Sequence, residues 1–545
     1  MIFYKNPVLL SILSGILLTL SWPIQGLSFL IFFSLIPLFF VEDQITKGNS
    51  KRKKLRLFTL SYLGFFIWNL GTTWWIVNSS IFGMVFAIVC NTLFYAILMT
   101  LFHWSKKRLP LRTAYIFLVS LWIAFEKFHL EWDFSWPWLN LGNVFSEDIQ
   151  WIQWYEFTGS FGGSLWILII NIGLFEVFKN HPVSLKNTLW VKKMTPCLIG
   201  IAIPIVISLL LFQREKELTP TTEVLLLQPN IDPYKEKYDR ENSYYFDLMV
   251  DMTADQISDE THYIFTPETY FGAGFGSSLE EFKTTVLHRK LDSLLKKNPK
   301  IQLVSGIQTY SVYRTDSPPT LTANFIRDGV WVDFYNSALK MEYQQEPEFY
   351  HKSKLVVGVE NMPYKSFFKP LLGEFLLDLG GTVSSRATQD YRSVFEHTKI
   401  NLKTGPVICY ESIYGEFVTE YVRKGAQFLA IITNDAWWGN TAGHKQLLSY
   451  ARLRAIENRR SIVRSANTGI SAVINTKGEI TDKLPYDTKG VLKAKFAPAN
   501  NITFYTQYGD YIARWSGFVA VLFFLIALSG RLKKKNNKGQ LHTIP

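Results

Sequence analysis

Gly405-Pro-Val-Ile-Cys409-Tyr-Glu411-Ser-Ile-Tyr-Gly415 is the stretch on which the architecture of this chain turns. Pro406-Val-Ile is a short apolar run suited to a buried strand, it ends on a thiol, and a helix start follows. An α/β scaffold presents reactive groups in this order, because functional side chains collect at strand ends and in the loops after them. A buried structural cysteine would fit the same eleven residues, so the surrounding sequence has to separate the two readings.

Outward from Cys409, between about 214 and 512, short β-rich runs alternate with turn residues and amphipathic stretches, a pattern of α/β type. Further candidate strands are Glu223-Val-Leu-Leu-Leu-Gln, His262-Tyr-Ile-Phe, Gln302-Leu-Val-Ser-Gly, Phe428-Leu-Ala-Ile-Ile-Thr and Ser471-Ala-Val-Ile-Asn. Thr266-Pro-Glu268-Thr puts a carboxylate at a rigid strand exit. In His351-Lys352-Ser-Lys354-Leu-Val-Val-Gly-Val-Glu360, cations precede an apolar run and an acid follows it. Alone, the first reads as a solvated turn acid and the second as a surface charge run. Together with Cys409 they form a sensible acyl-transfer set. A thiol of pKa about 8.5 is mostly protonated at neutral pH, so it needs a base or a stabilising cation. Glu268 and Lys352 can supply these. An ammonium with the backbone N–H of Tyr410 could stabilise the oxyanion formed when an ester is attacked.

Composition locates a second part. Of 545 residues, 16% are aromatic and only 19% charged, and the apolar excess lies before about 213 and again near 513–530. Eight candidate spans fall near 7–22, 25–41, 57–77, 80–103, 113–126, 161–178, 195–212 and 513–530. The first is followed almost at once by another apolar run and is expected to be a retained span, not a cleaved signal. The net charge of +12 comes largely from clusters beside these runs, which read as topology signals and not as a nucleic-acid surface. The loop from Lys47 to Arg56, the Lys106-Lys-Arg108 loop, the stretch Lys179–Lys193 and the tail from Arg531 all fall on one side. That side is expected to be cytoplasmic, with both termini on it and the middle domain outside. The tryptophan-rich loop Glu131–Gly142 falls on the outer side, as an interfacial aromatic belt or as part of a lipid entrance. Cys90 and Cys197 lie in apolar segments, which leaves Cys409 as the one thiol open to aqueous chemistry and makes a disulfide framework improbable.

The Glu268, Lys352, Cys409 set resembles the nitrilase superfamily, whose members carry a Glu, Lys, Cys triad in that chain order on an αββα sandwich. Fusion to a multi-span membrane part resembles one branch, the bacterial apolipoprotein N-acyltransferases. Trp136-Pro-Trp-Leu-Asn-Leu-Gly, Gln228-Pro-Asn-Ile, Tyr335-Asn-Ser, Cys409-Tyr-Glu411, Asn434-Asp-Ala-Trp-Trp-Gly and the stretch from His444 to Arg464-Ser-Ala-Asn-Thr-Gly carry that likeness. It implies a membrane α-helical bundle of about eight spans plus an α/β, nitrilase-like sandwich: a membrane domain over 1–213, a catalytic domain over 214–512, then the last span and a basic tail over 513–545. By position, Glu268 would be the general base, Lys352 the oxyanion-stabilising cation, Cys409 the nucleophile and Glu360 a second essential glutamate. Tyr410, Glu411, Tyr238, Asn336, Asn434 and Trp437 would support the site or the substrate pocket. Thr266 replaces an aromatic before Pro-Glu, Tyr238 stands where a tryptophan is expected, and Leu355-Val-Val-Gly lacks the usual proline.

The activity implied is transfer of a fatty acyl chain, the sn-1 chain, from a membrane phospholipid through a Cys409 thioester to the α-amino group of a diacylglyceryl-cysteine at a lipoprotein N-terminus. No cofactor or metal is expected, and neither metal-ligand spacing nor a phosphate loop stands out. The expected partners are phospholipid and diacylated apolipoprotein, with no nucleic acid and a monomeric enzyme in the inner membrane. A membrane-tethered amidase acting on soluble substrates would not need eight spans. A silent lipoprotein receptor would not need the triad, and a transporter would need more ionisable residues at mid-span.

Overall fold

The computed structural model describes all residues except 1–5, 25, 50, 181–187, 216, 217, 220, 234, 235, 238, 362, 365–384 and 531–545. The basic tail expected from Arg531 onward lies outside the described residues. The chain divides into two compact units: Met1–Trp74, Met84–Arg214 and Asp510–Pro545 form one, and Trp75–Gly83 with Glu215–Gly509 form the other.

In the first unit helices occur at all eight expected span positions. Among the described residues six are long and apolar enough to cross a membrane: Ser28–Lys47, Ile81–Lys106, Leu111–Glu131, Ser160–Asn180, Leu189–Arg214 and Tyr511–Ser529. Pro7–Ser21 is shorter, at 15 residues, and Lys53–Thr73 opens with Lys53, Lys54 and Arg56 in its first turn. These two pack closely through small residues. A Cβ added at Gly15 would lie 2.4 Å from the Gly64 carbonyl oxygen, and one at Gly64 would lie 2.8 Å from that of Ser11. Such close backbone approach is how helices associate where lipid removes the hydrophobic drive. Elsewhere apolar side chains face outward, as with Phe518 at 72% exposure and Leu210 at 60%, which suits hydrocarbon surroundings. The protein is therefore a membrane protein.

Part of the tryptophan-rich loop packs inside this unit: Pro137 to Ser146 are buried. Buried Glu126 holds it, accepting hydrogen bonds from Leu141 N at 2.8 Å, Trp122 Nε1 at 3.1 Å and Ser164 Oγ at 2.6 Å. A buried carboxylate needs such donors, and here they fix a loop that no regular element would position.

Among its described residues the second unit has fourteen strands: β1 (Thr222–Gln228), β2 (Thr261–Phe265), β3 (Ser277–Ser278), β4 (Gln302–Tyr313), β5 (Asn324–Arg327), β6 (Val330–Met341), β7 (Glu348–His351), β8 (Phe395–His397), β9 (Leu402–Ile408), β10 (Phe428–Thr433), β11 (Ile462–Ala466), β12 (Ala472–Ile474), β13 (Ile480–Lys483) and β14 (Gly490–Phe496). One sheet runs β14-β1-β2-β4-β6-β5, with β3 on β4 and β7 on β6, and the other runs β13-β12-β11-β10-β9-β8. The strand period of two sorts side chains between layers. Ile264 of β2 joins Leu225, Leu227, Leu303 and Leu339 in a core closed by Leu287 and Leu291 of helix Val286–Lys297. Tyr263 and Phe265 point the other way, against Phe428 of the second sheet at 5.3 and 6.3 Å between ring centroids. On the far side of the second sheet, Tyr421 of helix Gly415–Arg423 lies against Gly405. The layers are thus helix, sheet, sheet, helix, and both sheets mix parallel with antiparallel pairs.

Candidate active site

Three strand exits bring the sequence-predicted residues together. After β2 the chain turns at Thr266-Pro-Glu268, pinned to β4 by Thr266 N to Val304 O at 3.1 Å and Phe271 N to Gly306 O at 3.0 Å. The turn lies so close to β4 that a Cβ at Gly306 would come within 2.1 Å of the Pro267 carbonyl oxygen and 2.5 Å of Thr269 N. Lys352 follows β7, its N–H donating to Asn336 O of β6 at 2.8 Å. Cys409 is the first residue after β9 and takes φ +50°, a left-handed conformation that non-glycine residues adopt at a cost. A short 3₁₀ turn, Cys409–Ile413, separates it from the helix, which starts at Gly415.

Lys352, 1% exposed, donates to Glu268 Oε1 at 2.9 Å and to Glu360 Oε2 at 2.8 Å. Asn336 Nδ2 bridges the same two carboxylates at 2.8 and 2.9 Å. The second oxygen of Glu268 accepts from the backbone N–H of Asn434 at 3.2 Å, and Glu360 Oε2 also accepts from Val356 N at 2.9 Å. Burial alone would lower the Lys352 ammonium, but Glu268, Glu360 and Cys409 outweigh it and hold it well above the ordinary lysine value. Burial would raise Glu360, yet Lys352 and then Arg386 bring its carboxyl below the usual range. The Cys409 thiol is raised, by burial first and Glu268 next, against the opposing pull of Lys352 and a Thr433 hydrogen bond. A thiol so held stays protonated at neutral pH and needs a base to react, which Glu268 beside it can be.

Glu411 makes its bonds apart from Glu268 and Lys352. Fully buried, it accepts from Tyr350 OH and Ser353 N at 2.7 Å on one oxygen, and from Ile408 N at 2.8 Å and Tyr421 OH at 3.3 Å on the other. It thereby joins the residue before Cys409 to the residue after Lys352. Tyr410 is buried against Tyr414, with ring centroids 5.4 Å apart. Asn434 contributes its main-chain N–H, while its side-chain oxygen accepts from Asn467 at 3.1 Å. Trp437 lies in the turn after β10, where its carbonyl oxygen accepts from Ser79 Oγ at 3.0 Å. Tyr238 falls outside the described residues. Arg454, Arg459, Arg460 and Arg464 are buried and serve the framework: Arg454 donates to Ile413 O at 2.6 Å, and Arg464 pairs with Asp435 at 2.7 Å. Sequence reading missed Gly306, legible only as a glycine closing a strand run. It also missed Lys237, 5% exposed, whose Nζ reaches Glu268 O at 3.3 Å and whose ammonium burial pushes down to about 8.

Two family models match the chain: Carbon-nitrogen hydrolase over residues 314–501, and Apolipoprotein N-acyltransferase N-terminal domain over residues 14–173. The second unit is accordingly that of a nitrilase-superfamily enzyme, carried on a chain with membrane helices. The Apolipoprotein N-acyltransferase of Chlorobaculum tepidum is 28% identical over 96% of this chain and 97% of its own length. The one from Geobacter metallireducens is 25% identical over 93% of each. A solved amidase from Nesterenkonia sp. is 16% identical, with a TM-score of 0.37, and covers 55% of this chain and 99% of its own. The chain belongs to the apolipoprotein N-acyltransferase family and is an acyltransferase.

Proposed function

We propose that the enzyme works in two half-reactions through Cys409. Glu268 takes the thiol proton as the sulfur attacks the ester carbonyl of a membrane phospholipid. Lys352 and the Tyr410 N–H stabilise the oxyanion. The carbon–oxygen bond to glycerol breaks, Glu268 returns the proton to the departing alkoxide, and lysophospholipid leaves an acyl-thioester behind. The free α-amino group of a diacylglyceryl-cysteine at a lipoprotein N-terminus then attacks the thioester. Glu268 accepts the amine's proton, the same groups stabilise the second oxyanion, and the thiolate leaves and is reprotonated. The donor chain expected is sn-1, and ester to thioester to amide ends in the most stable linkage. A buried site also keeps water from the thioester, favouring transfer over hydrolysis.

The observation that carries this reading is the buried cluster in which Lys352 bonds both Glu268 and Glu360 while Cys409 feels Glu268 and Lys352, in a chain bearing six membrane-length helices. The orientation follows the Lys/Arg bias: basic loops in the cytoplasm, the catalytic unit on the outer face of the cytoplasmic membrane, and a monomer as the working form. The test is mass spectrometry of the full chain incubated with phospholipid, comparing wild type with Cys409→Ala. A fatty-acyl mass on wild type alone, discharged by a diacylated lipopeptide to an N-acylated product, is expected. Acylation that discharges only to water would favour an amidase-type hydrolase instead.

A further inference from the structure

Arg386 takes no part in the chemistry above, yet it lies beside it. It forms a parallel bridge with Phe334 of β6, and Ala387 N donates to Phe334 O at 2.8 Å, two residues from the Asn336 that bridges the carboxylates. Ser385 before it is held by reciprocal bonds with the Asn324 side chain, both 2.9 Å. Arg386 is 8% exposed, and neither its Nε nor its Nη1 has a hydrogen-bond partner among the described residues. A guanidinium keeps its charge at any working pH, so burying its N–H donors without an acceptor is costly unless a ligand supplies one. The surrounding charges agree. Lys237, Lys352 and Arg386 interact electrostatically, and Glu268 and Glu360 face them. Three cations against two carboxylates leave one positive charge over, since nearby Asp435 is already paired with Arg464.

We propose that Arg386, assisted by Lys237, is an anion subsite for the acyl donor and binds the phosphodiester of the phospholipid. This rests on the phospholipid-donor reading above. The guanidinium fork matches two phosphate oxygens, and the phosphodiester's single charge balances the one left over. The phosphate and the glycerol esters of one lipid are only a few bonds apart, so the subsite favours phosphorylated over neutral glycerolipid.

The test compares single-turnover acylation of Cys409 by a phosphatidylglycerol and by a diacylglycerol with identical chains, using the full-length enzyme in detergent micelles. Arg386→Gln should lower the ratio of phospholipid to diacylglycerol kcat/KM by about 10- to 100-fold, the size expected for losing a charge-assisted pair, with the change in KM. Inorganic phosphate should compete with phosphatidylglycerol in wild type and much less in the variant, which separates recognition of the phosphate from recognition of the rest of the headgroup. Arg386→Lys keeps the charge without the fork, should fall between the two, and carries the same comparison if the glutamine variant does not fold. An unchanged ratio in both variants, or equal losses with both donors, would overturn the subsite while leaving the donor reading intact. Wild type acylated by diacylglycerol but not by phospholipid would overturn both.

Discussion

Glu360→Gln should slow acylation of Cys409 by about 10²- to 10³-fold while the protein still folds. Glu360 accepts three donors: Asn336 Nδ2 at 2.9 Å on one oxygen, and Lys352 Nζ at 2.8 Å with Val356 N at 2.9 Å on the other. Glutamine has a single acceptor oxygen. If it serves Lys352 and Val356, its amide NH₂ confronts that of Asn336, and if it flips, it confronts two donors. At least one buried donor then loses its acceptor, at roughly 1–3 kcal/mol. Lys352 also loses one of its two anionic partners. At the 2.8 Å separation, unit charges in an effective dielectric of about 20 attract by roughly 6 kcal/mol, of which the relieved desolvation of Glu360 returns a large share. A net loss of roughly 3–4 kcal/mol remains, and at about 1.4 kcal/mol per tenfold this gives the stated factor. Structurally, the ammonium is drawn toward Glu268 alone, away from the midpoint from which it can reach the oxyanion. The assay is intact-protein mass spectrometry of the acyl adduct over time at saturating phospholipid. An acylation rate within threefold of wild type would refute the idea that Glu360 holds Lys352 in its working position.

The same carboxyl has a pH signature. Because Glu360 is held below its unfolded value of about 4.3, its contribution to stability is present above that value and lost as pH falls through the lower folded one. The melting-temperature gap between wild type and Glu360→Gln should therefore be widest near neutrality and close in acid. Glu411→Leu removes the acceptor of four donors and should destabilise the fold by about 3–5 kcal/mol, read as a lowered melting temperature; a change below about 1 kcal/mol would contradict its bracing role. Gly306→Ala forces the Glu268 turn off β4, so acylation should fall at least tenfold and the melting temperature should drop with it; wild-type rates would mean that the turn can yield. Cys409 should react with iodoacetamide at pH 8 about tenfold or more slowly than a free thiol of pKa about 8.5, and Glu268→Gln should slow it further by removing the base that takes its proton; a faster variant would contradict that role.

What could be read from the sequence, and what could not, follows from where the information lies. Phe428–Thr433 is an uninterrupted apolar run because β10 is buried on both faces, so its ends were visible. Cys409 and Glu268 stood out because each ends or follows such a run, and Lys352 because it precedes one. β6 was not visible as a strand. Val330–Met341 carries Asp333, Asn336 and Lys340 at buried positions, and their partners Thr320 and Thr322, Glu268 and Glu360, and Glu342 and Glu348 all lie outside the strand. Polar residues paired inside a fold break the alternation that marks a strand. Asn434 was found as a side chain but contributes through its main-chain N–H, which any residue except proline could supply. The near-complete burial of Arg454, Arg459, Arg460 and Arg464 depends on carbonyl oxygens such as that of Ile413, which only the fold brings to them.

Those buried arginines bear on how the nucleophile is held. A positive φ at a non-glycine residue costs of order 1–3 kcal/mol and persists only where its surroundings fix it. At Cys409 the fixing is local and redundant: Ser412 Oγ donates to the Cys409 carbonyl at 2.7 Å, Arg454 holds Ile413 O at the end of the same turn, and Glu411 holds Ile408 N at its start. Each is a hydrogen bond worth roughly 0.5–3 kcal/mol, so together they offset the strain. Glu411 does more than brace the turn, because its other oxygen binds Ser353 N, one residue beyond Lys352. Cys409 and Lys352 are therefore spaced by a single buried carboxylate bonded to the residue before one and the residue after the other. The Cys-Tyr-Glu spacing has a physical reason: an acid two residues after Cys409 reaches both the strand end before it and the segment that carries Lys352. In the mechanism proposed above, thiol, ammonium and base would then keep one separation through two successive oxyanions, as a site serving both half-reactions must.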